Sequence, residues 1–293
     1  MRVFVTGGTG LIGSAVVAEL ISNGHTVLAL ARSDASAAVA GKAGAETIRG
    51  GLADLDVLRA GAAQTDGVIH LAFSNDFSSA EAVANAVAEE SAAQLALGDA
   101  LIGSDRPFVT VSGTPWIAGR FSVETDPLPT DGPVGGRSRT VNAVLELAAR
   151  GVRAASVRLP RTVHNEGDGG FAGLLTGIAR QSGVSGYAGD GTQRWPAVHA
   201  LDAAVLFRLV LESAPAGTAW HAVADEGDQV REIAEVIGRR LGLPVAAVPT
   251  ETYGPLGVIF AADQPSSSAY TRETLGWEPK HPSLLADLEN IQP

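Results

Sequence analysis

The strongest constraint on the fold is a set of three evenly spaced glycines near the start of the chain. Gly7, Gly10 and Gly13 give the pattern G-x-x-G-x-x-G. A β-branched and aromatic run at residues 3–5 comes just before it, and residues 14–23 follow with apolar side chains at helical spacing. The sequence therefore predicts a strand, a tight turn and a helix, which is the beginning of a βαβ unit.

Each glycine has a separate physical role in such a turn. Gly7 permits the tight turn, Gly10 lets the backbone approach a pyrophosphate with no Cβ in the way, and Gly13 lets the helix pack close to the sheet. The first N–H groups of the helix are free and carry a partial positive charge. The pattern therefore predicts a dinucleotide site.

The end of the second predicted strand, residues 25–31, indicates which dinucleotide is bound. An acidic residue there would bind the ribose 2′-hydroxyl and favour NAD(H). This chain has Arg32 and Ser33 instead, a guanidinium that can pair with a 2′-phosphate and a hydroxyl that can donate to it. We therefore predict NADP(H), although a solvated surface arginine would give the same sequence.

Composition excludes several other classes of protein. The 293 residues carry 21 basic and 32 acidic side chains, a net charge of −11 that repels nucleic-acid backbones. The chain has no cysteine, which excludes disulfides and thiolate chemistry, and its 6 histidines are too scattered to suggest a metal site. No apolar run reaches the roughly 20 residues of a membrane helix. Since the strand pattern begins at Arg2, we expect a cytoplasmic protein without a leader peptide.

The segment TGGTGLIG resembles the N-terminal motif of the extended and atypical short-chain dehydrogenases/reductases, the family of the nucleotide-sugar epimerases and dehydratases. Further segments resemble later family motifs in the family's order, namely residues 66–72, 108–112, 157–160, 195–199 and 275–279. The periodicity agrees, because strand runs alternate with helical runs at residues 55–63, 79–102, 138–150 and 203–212.

The resemblance implies an α/β fold, a Rossmann-type doubly wound parallel sheet of about seven strands with a smaller C-terminal substrate-binding region. It places the NADP-binding domain at residues 1–161, with residues 195–212 returning to the sheet. The substrate-binding region is expected at residues 162–194 and 213–293.

The chain departs from the family at the catalytic Tyr-x-x-x-Lys motif. The matching residues are Gly135 and Arg139, and no tyrosine lies nearby, because the only ones are Tyr187, Tyr253 and Tyr270. Family epimerases use the tyrosine as a base, so its absence argues against an epimerase or dehydratase. Reduction of a ketone also leaves an alkoxide that needs a proton.

Three hypotheses remain for this departure. In the first, a phenol of the substrate beside the ketone donates the proton, as aromatic polyketides of the angucyclinone type would allow. The resemblance to atypical members without the tyrosine then implies an NADPH-dependent ketoreductase. In the second, an enzyme acid such as Ser112, His164, His199 or Tyr187 serves a reductase of another small carbonyl compound. In the third, the protein is an NADP-binding redox-sensing regulator without catalysis.

The site residues follow from the resemblance. The catalytic candidates are Ser112, Arg139 and His164. Predicted cofactor-binding residues are Gly7, Thr9, Gly10, Leu11, Ile12, Gly13, Arg32, Ser33, Gly51, Leu52, Leu71, Ala72, Phe73, Ser112, Arg139, Leu159, Pro160 and Val163. Predicted substrate-binding residues are Asn75, Thr114, Trp116, Phe171, Tyr187 and Trp195. We expect a small aromatic ketone as substrate, no nucleic-acid or membrane partner, and a possible homodimer.

Overall fold

A seven-stranded parallel sheet organises the first of two structural units in the chain. The computed structural model describes residues 1–74, 79–132 and 135–292. The first unit comprises residues 1–112, 127–158 and 203–220, and the second comprises residues 113–126, 159–202 and 221–293. The strand order is β10-β6-β5-β4-β1-β2-β3, so the expected doubly wound α/β fold is confirmed.

The strands of this sheet are short, and those at its centre, β1, β4 and β5, are the most deeply buried, whereas the edge strand β3 is mostly exposed. The four bonded pairs from β3 to β5 are parallel, which places the carboxyl ends of these strands at one edge. The strands are β1 (Arg2–Thr6), β2 (Thr26–Ala31), β3 (Glu46–Arg49), β4 (Gly67–His70), β5 (Pro107–Gly113), β6 (Arg153–Leu159) and β10 (Thr218–His221).

Helices pack on the sheet because apolar side chains recur on one face of each. Leu58 and Leu97 pack against Phe4 and Phe108 in the core of this unit. Gly61 is required by this packing, since a Cβ there would lie 2.5 Å from the Phe4 ring. The helices are α1 (Leu11–Ser22), α2 (Asp34–Lys42), α3 (Leu55–Ala63), α4 (Ala80–Asp99), α5 (Gly135–Glu146) and α7 (Ala200–Ser213).

The second unit has its own sheets and its own core. A three-stranded sheet has the order β11-β9-β7, and β12 pairs with β8. Trp195, Phe260 and Ile233 lie at the centre of the core. The strands are β7 (Thr162–His164), β8 (Ser185–Ala188), β9 (Arg194–His199), β11 (Asp225–Gln229) and β12 (Val245–Val248). The helices are α6 (Gly170–Ser182), α8 (Val230–Leu241), α9 (Gly257–Phe260), α10 (Ala269–Leu275) and α11 (Leu284–Leu288).

One sequence prediction about the sheet is wrong. Residues 195–199 were expected to return the chain to the central sheet, but β9 pairs with β7 and β11. The seventh strand is β10, which contains the buried Trp220. Every residue from Trp195 to His199 is buried, so the run lacks an alternating pattern that would indicate which sheet it joins. Across the described ranges, no helix combines the length and apolar character needed to cross a bilayer.

Candidate functional site

Two of the three glycines in the first turn are required by the protein's own packing. Gly7 has a φ of +74°, and a Cβ there would lie 2.7 Å from the backbone nitrogen of Ala72. A Cβ on Gly13 would lie 2.0 Å from the carbonyl oxygen of Gly7. Because both obstacles are backbone atoms, no side-chain adjustment could relieve them.

Gly10 is different, because nothing in the protein requires it to be glycine. It lies in extended backbone at φ −78°, and the atom nearest to an added Cβ would be the Gly7 oxygen at 3.6 Å. Thr9, Gly10 and Leu11 are exposed, and α1 begins without a side-chain cap or an acidic residue in its first turn. The space above Gly10 and the free helix N–H groups therefore fit a phosphate-bearing ligand. Ile12 is half-buried at the start of the helix.

Basic groups lie at the carboxyl ends of β2 and β3. Arg32 is exposed just after β2, whereas the Ser33 hydroxyl accepts the N–H of Ser36 at 3.1 Å and caps α2. Arg49 is the register partner of the last residue of β2, and its guanidinium donates to the carbonyl of Arg32 at 3.4 Å. It also lies 3.4 Å from the fully exposed Asp34. Sequence reasoning missed Arg49, although its position at a strand end was a usable signal.

The end of β4 is tied to the end of β1. The Thr6 hydroxyl oxygen accepts the N–H groups of Leu71 and Ala72, each at 3.3 Å, and lies 2.9 Å from Nδ1 of His70. His70 is fully buried, and burial, with the charge of Arg137 as a smaller cause, lowers its pKa to about 3. A neutral histidine therefore stands beside the predicted cofactor residues Leu71 and Ala72.

Phe73 takes part in a charged stack in the same unit. The guanidinium of Arg137 lies 4.0 Å from the centre of the Phe73 ring and donates to Glu90 at 2.6 and 2.7 Å. Glu90 is buried, and burial raises its pKa despite the bonds from Arg137. Of the predicted residues nearby, Gly51 donates its N–H to Asp54 at 2.7 Å. Leu52 is half-buried after β3, and Asn75 lies outside the described residues.

Gly135, the residue predicted to stand at the family's tyrosine position, has no room for a side chain. A Cβ on Gly135 would lie 2.2 Å from the carbonyl oxygen of Thr130. That carbonyl also accepts a hydrogen bond from Nη1 of Arg139, which occupies the predicted lysine position and is exposed. A tyrosine could not replace Gly135 with this backbone, so the conformation of the preceding loop requires a glycine here.

Ser112, the predicted catalytic serine, lies at the end of β5. Its hydroxyl is 3.1 Å from the hydroxyl of Ser156, which is fully buried on β6. Ser112 itself is half-buried. One of its hydrogen-bonding positions is therefore occupied, and no carboxylate or imidazole bonds it among the described residues.

In the second unit, Arg161 contacts two of the predicted substrate-binding residues. Its guanidinium donates to Oε1 of Gln264 and lies 5.1 Å from the Phe171 ring centre and 5.9 Å from that of Trp195. Gln264 in turn donates from Nε2 to the carbonyl of Thr114 at 2.6 Å. Burial lowers the pKa of Arg161 to about 10.

The predicted substrate residues fall into separate places within this unit. Phe171 and Trp195 pack edge to face, with ring centres 6.1 Å apart. Thr114 accepts a hydrogen bond from Gln264, which in turn bonds Arg161 beside these two rings. Trp116 is 56% exposed, and the Tyr187 ring packs under Arg231 at 5.2 Å. The predicted cofactor-binding residues at and after the end of β6 are partly or fully buried, namely Leu159, Pro160 and Val163.

His164 belongs to a buried cluster. Its Nδ1 lies 2.7 Å from Oδ2 of Asp287, and its ring meets that of His199 edge to face at 5.3 Å. His199 stacks on His281 at 4.8 Å, and His281 pairs with Asp202 at 2.7 Å. Burial, reinforced by the two neighbouring rings, lowers the pKa of His199. This arrangement holds segments of the second unit together, and the catalytic role of His164 stays a prediction.

Comparisons with known proteins agree with this fold and this glycine turn. Residues 3–222 match the model of the NAD dependent epimerase/dehydratase family, so the chain belongs to that family. It is 43% identical to an uncharacterized protein of Schizosaccharomyces pombe and 42% identical to one of Saccharomyces cerevisiae, with 98% of each chain covered.

Two further matches are to proteins whose names state an activity. A crystal structure of UDP-glucose-4-epimerase from Stenotrophomonas maltophila, with bound NAD and formylated UDP-arabinopyranose, superposes with a TM-score of 0.80 at 20% identity, covering 99% of this chain and 96% of that one. A quinoline-oxide ketoreductase of Stigmatella aurantiaca is 39% identical over 72 residues, 25% of this chain and 22% of that protein.

The glycine turn generates a prediction with an internal control. Gly10→Ala should leave the free energy of unfolding unchanged but weaken dinucleotide binding about tenfold or more, because its Cβ enters only the ligand's space. Gly13→Ala should instead destabilise the fold by more than about 2 kcal/mol, because its Cβ meets backbone. Gly41→Ala on α2, where a Cβ meets nothing within 4 Å, is the control for both. Titration calorimetry and urea unfolding measure the two quantities, and equal binding by the Gly10 variant would contradict the site.

His70 generates a prediction about acid stability. The pKa of His70 in the folded protein is below that of a histidine in the unfolded chain. As the pH falls below the pKa of the unfolded histidine, the unfolded chain takes up a proton that the folded protein does not, so the folded state loses stability. His70→Asn keeps a partner for Thr6 and removes this titration. Between pH 7 and pH 5 the free energy of unfolding of the wild type should fall by roughly 2 kcal/mol more than that of the variant. The slope of this difference should approach about 1.4 kcal/mol per pH unit. Urea unfolding at stepped pH measures this, and parallel curves would show that His70 is not the neutral group described.

Proposed function

We propose that the protein is an NADPH-dependent ketoreductase that acts on an aromatic ketone with a phenol beside the carbonyl. Aromatic polyketides of the angucyclinone type have this arrangement. One observation carries the proposal, namely a dinucleotide turn that is open at Gly10 combined with a tyrosine position that is closed at Gly135. The chain thus keeps the means to bind a nicotinamide cofactor and lacks the family's acid–base side chain.

The charge near the ends of β2 and β3 supports NADP(H) as the cofactor. Arg32 follows β2 and Arg49 is the last residue of β3, and the two residues directly after β2, Arg32 and Ser33, include no carboxylate that would bind a ribose 2′-hydroxyl. Arginines recognise a 2′-phosphate through charge-assisted hydrogen bonds. When bound, NADPH would supply a hydride to the substrate carbonyl carbon.

The missing tyrosine supports reduction rather than epimerisation. Epimerisation would require the protein to remove a proton from a sugar hydroxyl, and Gly135 has no side chain for this task. Arg139 can bind hydroxyl groups, but an arginine keeps its proton and is a poor acid. Two arginines of the second unit are already paired with carboxylates, Arg120 with Asp126 and Arg194 with Asp263, which argues against a diphosphate site built from these two.

The substrate can supply the proton that the enzyme lacks. Hydride addition to the ketone carbon converts the carbonyl oxygen to an alkoxide, which then takes the proton of the adjacent phenol O–H. The product is an alcohol and a phenolate, which regains its proton from water. A phenol has an ordinary pKa of about 10, far below that of an alcohol, so this transfer is downhill.

The closed tyrosine position also favours a second candidate, an NADP-binding redox-sensing regulator without catalysis. Such a protein would need the glycine turn and no acid. The two functions differ in one measurement, because only the reductase consumes NADPH when a suitable ketone is present.

Cofactor choice gives the first test. Arg32→Ala and Arg49→Ala should each weaken NADPH binding about tenfold while leaving NADH binding unchanged, because each removes a cation from the 2′-phosphate. Arg59→Ala on α3, an exposed arginine paired with Asp56, is the matched control. Titration calorimetry with both nucleotides measures the ratio of the NADPH and NADH affinities. An unaltered ratio in both variants would contradict the assignment of NADP(H) as the cofactor.

The proton source gives the second test. A tetralone with a peri-hydroxyl group should be reduced, whereas its methyl ether should be turned over at least about a hundredfold more slowly, because it has no proton to give. The isomer with the hydroxyl on the far side of the ring controls for polarity. Oxidation of NADPH is followed by absorbance. Equal turnover of phenol and ether would refute the mechanism, and no turnover despite tight NADPH binding would favour the regulator.

A further inference from the structure

We propose that Arg161 is the residue that recognises an acidic oxygen, carboxylate or phenolate, on an aromatic ligand bound in the second unit. This inference rests on the proposed function for the identity of the ligand as substrate. It adds a specificity-determining residue that the family resemblance did not supply.

The first observation is that no carboxylate of the described residues pairs with the Arg161 guanidinium. Its one hydrogen-bond partner is the neutral amide oxygen of Gln264, and its Nε is buried with no partner among the described residues. The remaining surroundings are the aromatic faces of Phe171 and Trp195. A half-buried guanidinium with no carboxylate is unfavourable, because desolvation of the charge is not compensated.

Two other arginines of the same unit show what ordinary compensation looks like here. Arg120 donates to both carboxylate oxygens of Asp126, at 2.5 and 2.7 Å. Arg194 donates to Asp263 at 2.8 and 3.0 Å. Arg161 alone of these three lacks such a partner, so its charge is free to meet one that arrives with a ligand.

The second observation is another unpaired donor beside the guanidinium. The indole N–H of Trp195 is buried and has no acceptor in the described part of the chain, although buried indole groups are usually bonded. Trp195 is one of the two rings that pack against Arg161. Two unpaired donors next to one another fit an acceptor oxygen better than they fit a purely apolar ligand.

The third observation is that the arginine is held in place. Gln264 donates from Nε2 to the carbonyl of Thr114, which orients its Oε1 toward Arg161. The Phe171 ring packs against the guanidinium from another side. A positioned guanidinium loses little entropy when it binds, which favours a planar, two-oxygen acceptor next to an aromatic surface.

These contacts define the ligand's chemistry. The acidic oxygen belongs on a flat aromatic ring, since the surroundings of Arg161 include the Phe171 and Trp195 rings. A carboxylate on the ring and a phenolate beside a ketone both meet this description. The phenolate is also the group that the proposed reduction leaves behind, so the two proposals share this chemistry.

The test measures binding without turnover and uses two pairs of probes. Hydroxynaphthoate and its methyl ester differ in the carboxylate, and the peri-hydroxytetralone and its methyl ether differ in the phenol. Titration calorimetry without nicotinamide nucleotide should show at least about tenfold tighter binding of one acidic probe than of its neutral partner. Arg161→Met should abolish that preference, and Arg161→Gln, which keeps a polar side chain near Gln264, should abolish it as well.

A stability measurement separates recognition from a structural role. If the guanidinium awaits a ligand, Arg161→Met should raise the melting temperature of the ligand-free protein by about 2 °C or more, because an uncompensated charge is removed. The exposed Arg180→Met on α6 should alter neither binding nor melting. Loss of stability in both Arg161 variants, or an acid preference that survives in them or is missing from the wild type, would overturn the proposal. Reduction of the phenolic ketone by a protein without acid preference would leave the proposed function standing.

Discussion

The contact between the first turn and the end of β4 is the constraint on which the nucleotide site depends. Gly7 approaches the backbone of Ala72 so closely that any side chain is excluded, and the Thr6 hydroxyl accepts the backbone N–H groups of the two residues that follow β4, Leu71 and Ala72. Parallel pairing of β1 and β4 brings these atoms to the same edge. The helix start at Gly10 can then face a ligand, because the close backbone contacts within the protein fall on Gly7 and Gly13 instead.

The same logic of backbone occupancy explains the lost tyrosine. At Gly135, the predicted tyrosine position, a side chain would need space beside the start of α5, and the Thr130 carbonyl from the preceding loop fills that space. Arg139 then bonds that carbonyl and holds the loop there. A single substitution could not restore the tyrosine, which makes the departure a property of the loop and α5 together. Chemistry that needs a proton must therefore obtain it from another group.

Local patterns made much of this molecule predictable, and long-range pairing made the rest unpredictable. The helix at Leu55–Ala63 was predicted with the bounds it has, because its apolar spacing is clear. Helix α5 begins at Gly135, three residues before the predicted start, because two glycines hide its first turn. The sheet joined by β9 was missed, since a fully buried run gives no sign of its neighbours. Arg49 and Arg161 were not singled out because their partners are distant in sequence or missing among the described residues.

The second unit shows why an unpaired charge is informative in a family with many possible substrates. Its core of packed aromatic rings would be better served by an apolar residue than by Arg161, since a methionine there would leave no charge to solvate. The unit compensates Arg120 and Arg194 with carboxylates, so the fold is able to supply them. A cation left without one lowers the stability of the ligand-free protein, and proteins usually accept such a cost at residues that act on something outside the chain. Under this proposal, the Phe171 and Trp195 rings beside Arg161 favour a flat aromatic group. The indole N–H of Trp195, which has no acceptor among the described residues, favours a group that accepts hydrogen bonds.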